Sequence, residues 1–283
     1  MEPLIRIEDA SFAYRVGDSI IPALRDVSLS VQAGEYLALI GANGSGKSTL
    51  ARHLNALLLP DEGRVWVNGW DTRDERHLWD IRRTVGMVFQ DPDSQLVATT
   101  VEAEVAFGPE NLGVPREEIR RRVEDALATV GLIAQRDRNP QLLSAGQKQR
   151  LALAGVLALE PECIVLDEAT ALLDPAGRAA VLEVLDALQA QGRTIVLITH
   201  LMDEAAQADR VVVLEKGRVA ADAPPREVFQ REDDLRRWGL TLPSATHLAQ
   251  SLSREARGFP TDLLTVEEVI EAVCDRAMEG VQP

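Results

Sequence analysis

Short apolar runs alternate with longer helical patterns along this chain. Four runs of five residues, "YLALI" (36–40), "VGMVF" (85–89), "CIVLD" (163–167) and "TIVLI" (194–198), are almost entirely apolar. Such runs predict strands that are buried on both faces of a parallel sheet. Each is followed by a loop with unusual residues, and ligands of parallel sheets bind beyond the carboxyl ends of the strands. The pattern therefore predicts an α/β core whose site lies at these loops.

The segments around this core have different patterns. The early runs "LIRIEDASFAY", "LRDVSLSV" and "VWVNG" predict an N-terminal antiparallel β subdomain. Between about residues 91 and 160 the pattern is helical and charged, which predicts an inserted helical subdomain. In its "REEIRRR" stretch the interleaved glutamates favour a solvated helix face over a phosphate-binding patch. A double proline after "VVVLEKGRVAADA" marks a boundary, so we predict a first domain over 1–222 and a helical C-terminal extension over 223–283.

The last helix of this extension has apolar residues at helical spacing, namely Val266, Val269, Ile270, Val273 and Ala277. They fall on one face, which predicts that the helix packs against something. Two roles are open for the extension: it strengthens a dimer, or it shields the core.

Charge and hydropathy exclude two classes of protein. The formal net charge is -15, whereas a protein that wraps nucleic acid needs a basic stripe, so we predict no nucleic-acid partner. No apolar run approaches the roughly 18 to 20 residues of a membrane span, and no charged-then-apolar leader opens the chain. We expect a cytosolic protein whose work at any membrane depends on a partner.

The strongest local motif is "GANGSGKST" (41–49), which follows a predicted strand and opens a predicted helix. Gly41, Gly44 and Gly46 let the backbone curl so that its N–H groups point at phosphate oxygens, and the helix start adds its dipole. Lys47 supplies a charge to the β and γ phosphates, and Ser48 supplies a hydroxyl to Mg²⁺. The motif predicts nucleotide binding, and Asn43, Ser45 and Thr49 complete the predicted contact stretch.

Paired acids follow the buried run "CIVLD" in "CIVLDEAT". An acidic helix cap is one interpretation. In a chain with a phosphate loop, the favoured one is that Asp167 holds Mg²⁺ and Glu168 polarises the attacking water.

Three single residues have weaker signals, each with a structural alternative. Gln90 ends one predicted strand and could bond to the metal shell and the water, although such a glutamine is commonly solvated in a loop. His200 ends another and could donate to the γ-phosphate, or it could be a structural histidine. Tyr14 could stack on the adenine, or it could be a half-buried aromatic at a sheet edge.

The stretch "QLLSAGQKQRLALAG" (141–155) has the pattern of a helix start. Ser144 and Gln147 stand three apart ahead of a run of Leu and Ala, which is typical of a capping box. Gly146 lies in the first turn, where a helix former would be more stable by roughly 1 kcal/mol. A small residue at that cost predicts that another group approaches the backbone there.

Together these residues resemble the nucleotide-binding subunit of an ABC transporter, from about Leu4 to Ala220. "GANGSGKST" is similar to the Walker A loop of that family, "CIVLDEAT" to Walker B and "LSAGQ" to the signature motif. Gln90 resembles the Q-loop glutamine, Asp174 in "LLDPAG" the D-loop aspartate and His200 the switch histidine. The resemblance implies a P-loop NTPase (RecA-like) core with a mainly parallel sheet, within the α/β class.

Three longer stretches of the sequence are similar to the ATPase of energy-coupling factor transporters, which import vitamins and metal ions. The stretches "FQDPDSQLVATTVEAEVAFGPENLG" and "KSTLARHLNALLLPDEG" carry this resemblance, and so does the C-terminal "REVFQREDDLRRWGLTLPSATHLAQSL". It implies a second ATPase subunit (a copy or a related paralogue), a transmembrane coupling protein and a membrane protein that captures the substrate. It also implies a peripheral position at the cytoplasmic face of the cell membrane.

In that family two ATPase subunits pair head to tail around ATP and Mg²⁺, and each signature helix faces the phosphate loop of the other. Ser144 and the amides around Gly146 would then form a helix-start anion site for a γ-phosphate that the partner binds. A groove beside Gln90 would receive a helix from the membrane partner, and the acids of "DPDSQLVATTVEAEV" indicate that this helix is basic. The implied Mg²⁺ ligands are Ser48, Gln90 and Asp167, and the implied nucleotide contacts across the dimer are Ser144, Ala145, Gly146, Gln147 and Asp174.

One residue departs from the family pattern, which has glycine where this chain has Ala145. Alanine keeps the N–H but adds a Cβ, which is tolerable if φ is helical and costly if φ is positive. We expect the site to work at a reduced rate.

Other functions are also considered. An ABC-type ATPase that acts on DNA or ribosomes would have a long coiled coil or a basic insertion before the signature, and a P-loop kinase or GTPase would lack "LSAGQ". The nearest alternative is the ATPase subunit of a conventional ABC transporter.

Overall fold

A computed structural model describes residues 2–256 and 258–279, apart from the side chains of residues 277–279. The strands are β1 (Ile5–Val16), β2 (Ser19–Val31), β3 (Tyr36–Ile40), β4 (Glu62–Val67), β5 (Trp70–Asp71), β6 (Val85–Val88), β7 (Cys163–Asp167), β8 (Thr194–Ile198), β9 (Arg210–Glu215) and β10 (Arg218–Ala223). The helices are α1 (Lys47–Leu54), α2 (Leu78–Thr84), α3 (Val101–Asn111), α4 (Arg116–Thr129), α5 (Ala145–Leu157), α6 (Pro175–Ala190), α7 (Met202–Ala205), α8 (Pro225–Phe229), α9 (Glu232–Arg237), α10 (Ser244–Glu255) and α11 (Val266–Glu279).

The central sheet has six strands in the order β10-β9-β3-β8-β7-β6. The five strands from β9 to β6 are parallel, and β10 pairs antiparallel with β9 at one edge. Alternate residues of β3 enter two different cores: Leu37 and Leu39 face the N-terminal sheet, whereas Ala38 and Ile40 face the helices. This double burial is why the strands are continuously apolar, and the predicted buried parallel strands are confirmed.

The second sheet is antiparallel, with the order β2-β1-β4-β5. It is the predicted N-terminal β subdomain, but β2 begins at Ser19, earlier than the apolar pattern indicates. The pattern indicates a later start because Pro22 stands before it, and proline usually interrupts a strand. Proline is tolerated here because β2 is the edge strand, where a missing N–H interrupts no ladder on the free side.

The region between β6 and β7 is helical, as predicted, and contains α3, α4 and α5. Two of the four arginines of α4 are paired with carboxylates: Arg121 with Glu118 and Glu160, and Arg122 with the same two acids. Hydrogen bonds from Arg121 and Arg122 lower the pKa of Glu118 to about 2. The predicted solvated face therefore holds for Arg121, whereas the Arg122 side chain is largely buried beside the same acids.

The C-terminal extension packs onto the same core as the central sheet. Phe229, Trp238 and Leu240 are buried in one cluster with residues of β3, β7 and β8. No helix in the described part of the chain is long and apolar enough to cross a membrane.

The last helix differs from its predicted packing. Only Val269 is buried, against α10 and Phe259, whereas Val266, Ile270 and Val273 are exposed. The side chain of Ala277 lies outside the described residues. The predicted packing of this helix is therefore met by α10 at a narrow stripe around Val269, and the rest of its apolar face is not covered within the described chain.

Candidate nucleotide-binding site

The predicted site residues meet where the parallel strands end. Asp167 of β7 pairs with Ile198 of β8, and Leu39 of β3 pairs with the same Ile198, so the loops after these strands start at one level. A cavity of about 450 Å³ opens there. It is lined by Gly41, Ala42, Asn43, Gln90, Glu168, His200, Met202, Gly239, Leu240 and Thr241.

The phosphate loop is held tightly against its surroundings. Gly46, the N-cap of α1, has φ of 107°, and a Cβ there would lie 2.4 Å from the carbonyl oxygen of Ala23. Glycine is therefore required both by the backbone conformation and by the close approach. The Lys47 ammonium is buried and donates to the carbonyl oxygens of Gly41 at 2.8 Å and Ala42 at 3.2 Å. Burial lowers the pKa of Lys47, while Glu168 and Asp167 oppose that shift.

A hydroxyl and a carboxylate stand beside this loop. The Ser48 hydroxyl donates to Asp167 Oδ1 at 2.8 Å, and burial raises the pKa of Asp167. The described residues contain no cluster of three or more His, Cys, Asp or Glu side chains suited to a metal. Mg²⁺ in nucleotide sites is commonly held by one or two carboxylates together with waters and substrate phosphates. Ser48 and Asp167 therefore fit Mg²⁺ as partial ligands.

Glu168 stands at the centre of the site in an uncommon backbone conformation. Its φ is 51°, in the left-handed region that residues other than glycine rarely adopt, and its N–H donates to the Ile198 carbonyl at 3.0 Å. Three predicted residues surround its carboxylate: the Gln90 amide donates at 3.3 Å, His200 Nδ1 lies at 3.7 Å, and Lys47 Nζ lies at 3.8 Å. The structure thus brings four predicted site residues into one cluster.

Tyr14 contacts the first turn of α1, beside the phosphate loop. The Tyr14 and Thr49 hydroxyls are 3.1 Å apart, and the Tyr14 ring packs edge to face on Phe12 with centroids 5.0 Å apart. The ring is half-buried, and at Tyr14 strand β1 pairs only with β2, because its pairing with β4 ends at Ser11. The hydroxyl contact brings Tyr14 to the loop that would hold the phosphates.

The signature stretch forms the predicted capping box. The Ser144 hydroxyl accepts from the Gln147 N–H, and the Gln147 side chain accepts from the Ser144 N–H. Ala145 is the first residue of α5 and does not have a positive φ, so its Cβ brings no backbone strain.

The structure gives an intrachain reason for the small residue at 146. A Cβ on Gly146 would lie 3.2 Å from the Cα of Gly177 in the first turn of α6, which is tighter than ordinary contacts. The backbone that approaches Gly146 in this chain is therefore that of α6. This contact accounts for the glycine without the phosphate of a partner, which was the reason that the sequence suggested.

Five predicted contacts stand apart from the cavity. Asp174 caps α6 by accepting from the Gly177 N–H at 2.8 Å. Among the described residues, no hydrogen bond or ion pair joins Asp174 or the signature residues 144–147 to the phosphate loop.

Sequence reasoning missed two features of the site. The signature helix is tied to the segment around Gln90, because Lys148 pairs with Asp93 at 2.6 Å and the Gln149 amide donates to the Phe89 carbonyl at 3.1 Å. The second is residues 239–241, which the C-terminal extension contributes to the cavity wall. Gln149 lies on the same helix face as Ala152 and Leu153, and a glutamine on that apolar face was the one signal in the sequence. No local pattern marks residues 239–241.

Comparisons with known proteins agree with this geometry. A family model described as "ABC transporter" matches residues 24–171. The energy-coupling factor transporter ATP-binding protein EcfA1 of Caldanaerobacter subterraneus is 52% identical, with 96% of this chain and 99% of that protein covered. The EcfA1 protein of Symbiobacterium thermophilum is 55% identical, with 96% and 97% covered.

Solved structures give the same picture. The structure of cbiO1 from Clostridium perfringens, part of the ABC transporter complex cbiONQ, has a TM-score of 0.75 and 36% identity, and covers 88% of this chain and 100% of that one. A dimeric ATP-binding cassette, MJ0796 bound to ADP and Pi, has a TM-score of 0.71 and 31% identity, with 78% and 98% covered. The predicted α/β fold class with a P-loop NTPase core is confirmed by these neighbours.

Proposed function

Because this chain belongs to the ABC transporter family, among the energy-coupling factor transporter ATP-binding proteins, we propose that it powers the uptake of vitamins or metal ions through membrane partners. It is an ATP-binding, ATP-hydrolysing subunit of such a transporter. The observation that best supports the proposed mechanism is the cluster of Lys47, Gln90 and His200 around Glu168 at the mouth of the cavity.

In the proposed mechanism each of these side chains has one task. The Lys47 ammonium, now held by loop carbonyls, transfers its hydrogen bonds to the β and γ phosphates. Glu168 takes a proton from the attacking water, and Gln90 orients that water through the amide that now reaches the carboxylate. His200 donates to the γ-phosphate and stabilises the charge that develops on it. Tyr14 stacks on the adenine while its hydroxyl stays at Thr49.

Mg²⁺ is the proposed metal cofactor. Asp167 and Ser48 would hold it on one side, with Gln90 beside it, and the ion would neutralise phosphate charge. The buried Asp167 carboxylate then has a cation to offset its desolvation.

The proposed active unit is a head-to-tail pair of ATPase subunits. This is supported by the dimeric cassette among the similar structures, and by the lack of any hydrogen bond between the signature residues 144–147 and the phosphate loop in the described part of one chain. The signature residues 144–147 and Asp174 would complete the nucleotide site of the second subunit. That subunit is a copy of this chain or a related paralogue; both fit the geometry.

Replacing Ala145 by glycine tests the departure from the family signature. Because Ala145 has no positive φ, the change relieves no strain, but it removes the Cβ from the helix start that faces the proposed partner site. We expect Ala145→Gly to hydrolyse ATP at the same rate or faster, with helix stability lower by at most about 1 kcal/mol. Steady-state phosphate release and a melting curve measure the two effects, and a collapse of the rate contradicts the expectation.

An apolar groove between α2 and α3 fits the proposed membrane partner, although its lining includes neither Gln90 nor residues 91–105 of the predicted groove. Trp79 of α2 and Phe107 of α3 are 66% and 50% exposed, and they share the groove walls with Leu159. The acids of segment 91–105, from which the sequence indicated a basic incoming helix, are engaged within the chain. Asp93 pairs with Lys148, Glu102 with Arg136, and Glu104 accepts from the Val97 and Ala98 N–H groups. Complementarity to these acids therefore no longer supports a basic helix.

Isolation of the protein from membranes tests both the function and this docking surface. We expect one transmembrane coupling protein and a separate small capture protein to come with the wild type. The pair Trp79→Ala and Phe107→Ala should weaken this association by about 30-fold, the effect of losing about 2 kcal/mol at an interface hot spot. ATP binding should be unchanged.

Ile133→Ala, at an exposed apolar residue elsewhere on the helical subdomain, is the matched control and should leave recovery unchanged. Recovery of two large transport subunits without a capture protein would instead identify a conventional ABC transporter. Full recovery with the Trp79 and Phe107 variants would exclude this groove as the docking site.

A further inference from the structure

The buried acid Glu204 is bonded to Thr199, the residue that precedes His200. Glu204 of α7 is 2% exposed, and its Oε2 accepts from the Thr199 hydroxyl at 2.5 Å. The same Thr199 hydroxyl accepts from the Leu201 N–H at 3.0 Å. Thr199 and Leu201, the neighbours of His200 in the chain, are therefore both held through the Glu204 carboxylate. Their positions fix the backbone at His200 and so the orientation of its side chain.

The second oxygen of this carboxylate faces an arginine. Glu204 Oε1 is buried and has no hydrogen-bond partner among the described residues, and the same holds for Arg178 Nε. These two atoms lie 3.7 Å apart, so their charges attract although no hydrogen bond joins them. A buried carboxylate is costly unless a cation or donors offset its desolvation. Arg178 is the cation in position to do so.

Arg178 belongs to the surface that would face the second subunit. It lies in the first turn of α6, one residue after Gly177, whose Cα closely approaches Gly146 of the signature helix. Asp174 caps the same turn. A displacement of this turn moves Arg178 relative to Glu204. Because Glu204 bonds to Thr199, and Thr199 to the Leu201 N–H, the displacement also shifts the backbone on both sides of His200.

We propose that Glu204 is a positioning residue for His200, and that Arg178 links its carboxylate to the α6 turn that carries Asp174. The arrival of the second subunit at that turn thereby sets the orientation of His200 toward the nucleotide. This inference rests on the role proposed above for His200. It concerns ATP hydrolysis alone and is independent of the transported substrate.

A purely structural role for Glu204 predicts a different result. An acid kept only for packing would affect stability, and its removal would change the hydrolysis rate equally whether or not His200 is present. A positioning residue acts through His200, so its effect on kcat disappears when His200 is absent. KM for ATP should stay nearly constant, because the phosphate loop and Tyr14 lie on other elements.

The experiment compares Glu204→Ala, Glu204→Gln and Arg178→Ala in the wild-type and His200→Ala backgrounds, by single-turnover and steady-state phosphate release. We expect Glu204→Ala to lower kcat by about 10- to 100-fold, with KM for ATP within about twofold, and to add nothing in the His200→Ala background. Glu204→Gln keeps the shape of the side chain and the bond to Thr199, so it should retain more activity than Glu204→Ala. Because the amide has no charge to attract Arg178, adding Arg178→Ala to Glu204→Gln should not lower kcat further. Glu183→Gln, an exposed acid on α6, is the matched control and should behave as wild type.

Four results would overturn the inference. The first is an equal effect of Glu204→Ala with and without His200. The second is Arg178→Ala lowering kcat by the same factor in the Glu204→Gln variant as in the wild type. The third is a wild-type kcat for both Glu204 variants while His200→Ala is slow. If His200→Ala itself has a wild-type kcat, the role proposed for His200 fails and this inference fails with it. Melting curves identify any variant that is poorly folded, and Glu204→Gln then carries the test.

Discussion

Replacing Glu168 by glutamine should stop ATP turnover while leaving ATP binding intact. The amide keeps the size of the side chain but cannot take a proton from water, and such a loss costs about 100- to 10,000-fold in rate. Because nucleotide is bound and not consumed, the variant should also accumulate as a closed pair of subunits in the presence of ATP. Phosphate release and size-exclusion chromatography with ATP measure the two effects.

Glu162→Gln is the matched control for this prediction. Glu162 is exposed and lies just before β7, at the opposite end of the strand from Glu168. The same chemical change there should leave turnover and oligomeric state as in the wild type. Wild-type turnover of Glu168→Gln would remove Glu168 from its role as base and would leave its strained backbone without a functional explanation.

Lys47→Ala should strongly weaken nucleotide binding. The Lys47 ammonium is the one buried cation that contacts both the phosphate loop carbonyls and the Glu168 carboxylate in the described structure. Hydrogen bonds to charged groups contribute about 1.5 to 3 kcal/mol each. The loss of those made to the phosphates should therefore weaken ATP affinity by about 100-fold or more. Equilibrium binding of a fluorescent ATP analogue measures this loss.

Lys47→Met separates charge from packing, since methionine fills most of the buried space of the lysine stem. Both variants should lose affinity to the same degree while melting curves show the methionine variant to be the more stable. Tight ATP binding by Lys47→Met would mean that the phosphates are held by loop amides alone.

Local patterns predicted the core of this protein because its strands are short, continuously apolar and buried on both faces. The strands β3, β7 and β8 have the bounds that their apolar runs indicate, and each leads directly to a site residue. The phosphate loop could also be predicted from its glycines and its lysine, since the backbone conformation that they form is local.

Contacts between distant elements were beyond the same reasoning. The approach of Gly146 to Gly177 depends on how α5 packs on α6, and the Tyr14 to Thr49 contact depends on how one sheet lies over the phosphate helix. The exposed residues of α11 were assigned to a packed face because periodicity identifies an apolar stripe but not what covers it.

The C-terminal extension has a further consequence for how the chain unfolds. The boundary near residue 223 divides two sequence patterns, but Phe229, Trp238 and Leu240 complete the same hydrophobic cluster as the central strands. A polypeptide cut at that boundary would leave this cluster open to water and remove one wall of the cavity. We therefore expect the region from β1 to Leu240 to melt in a single transition, and a chain cut at residue 223 to be less stable than the full chain.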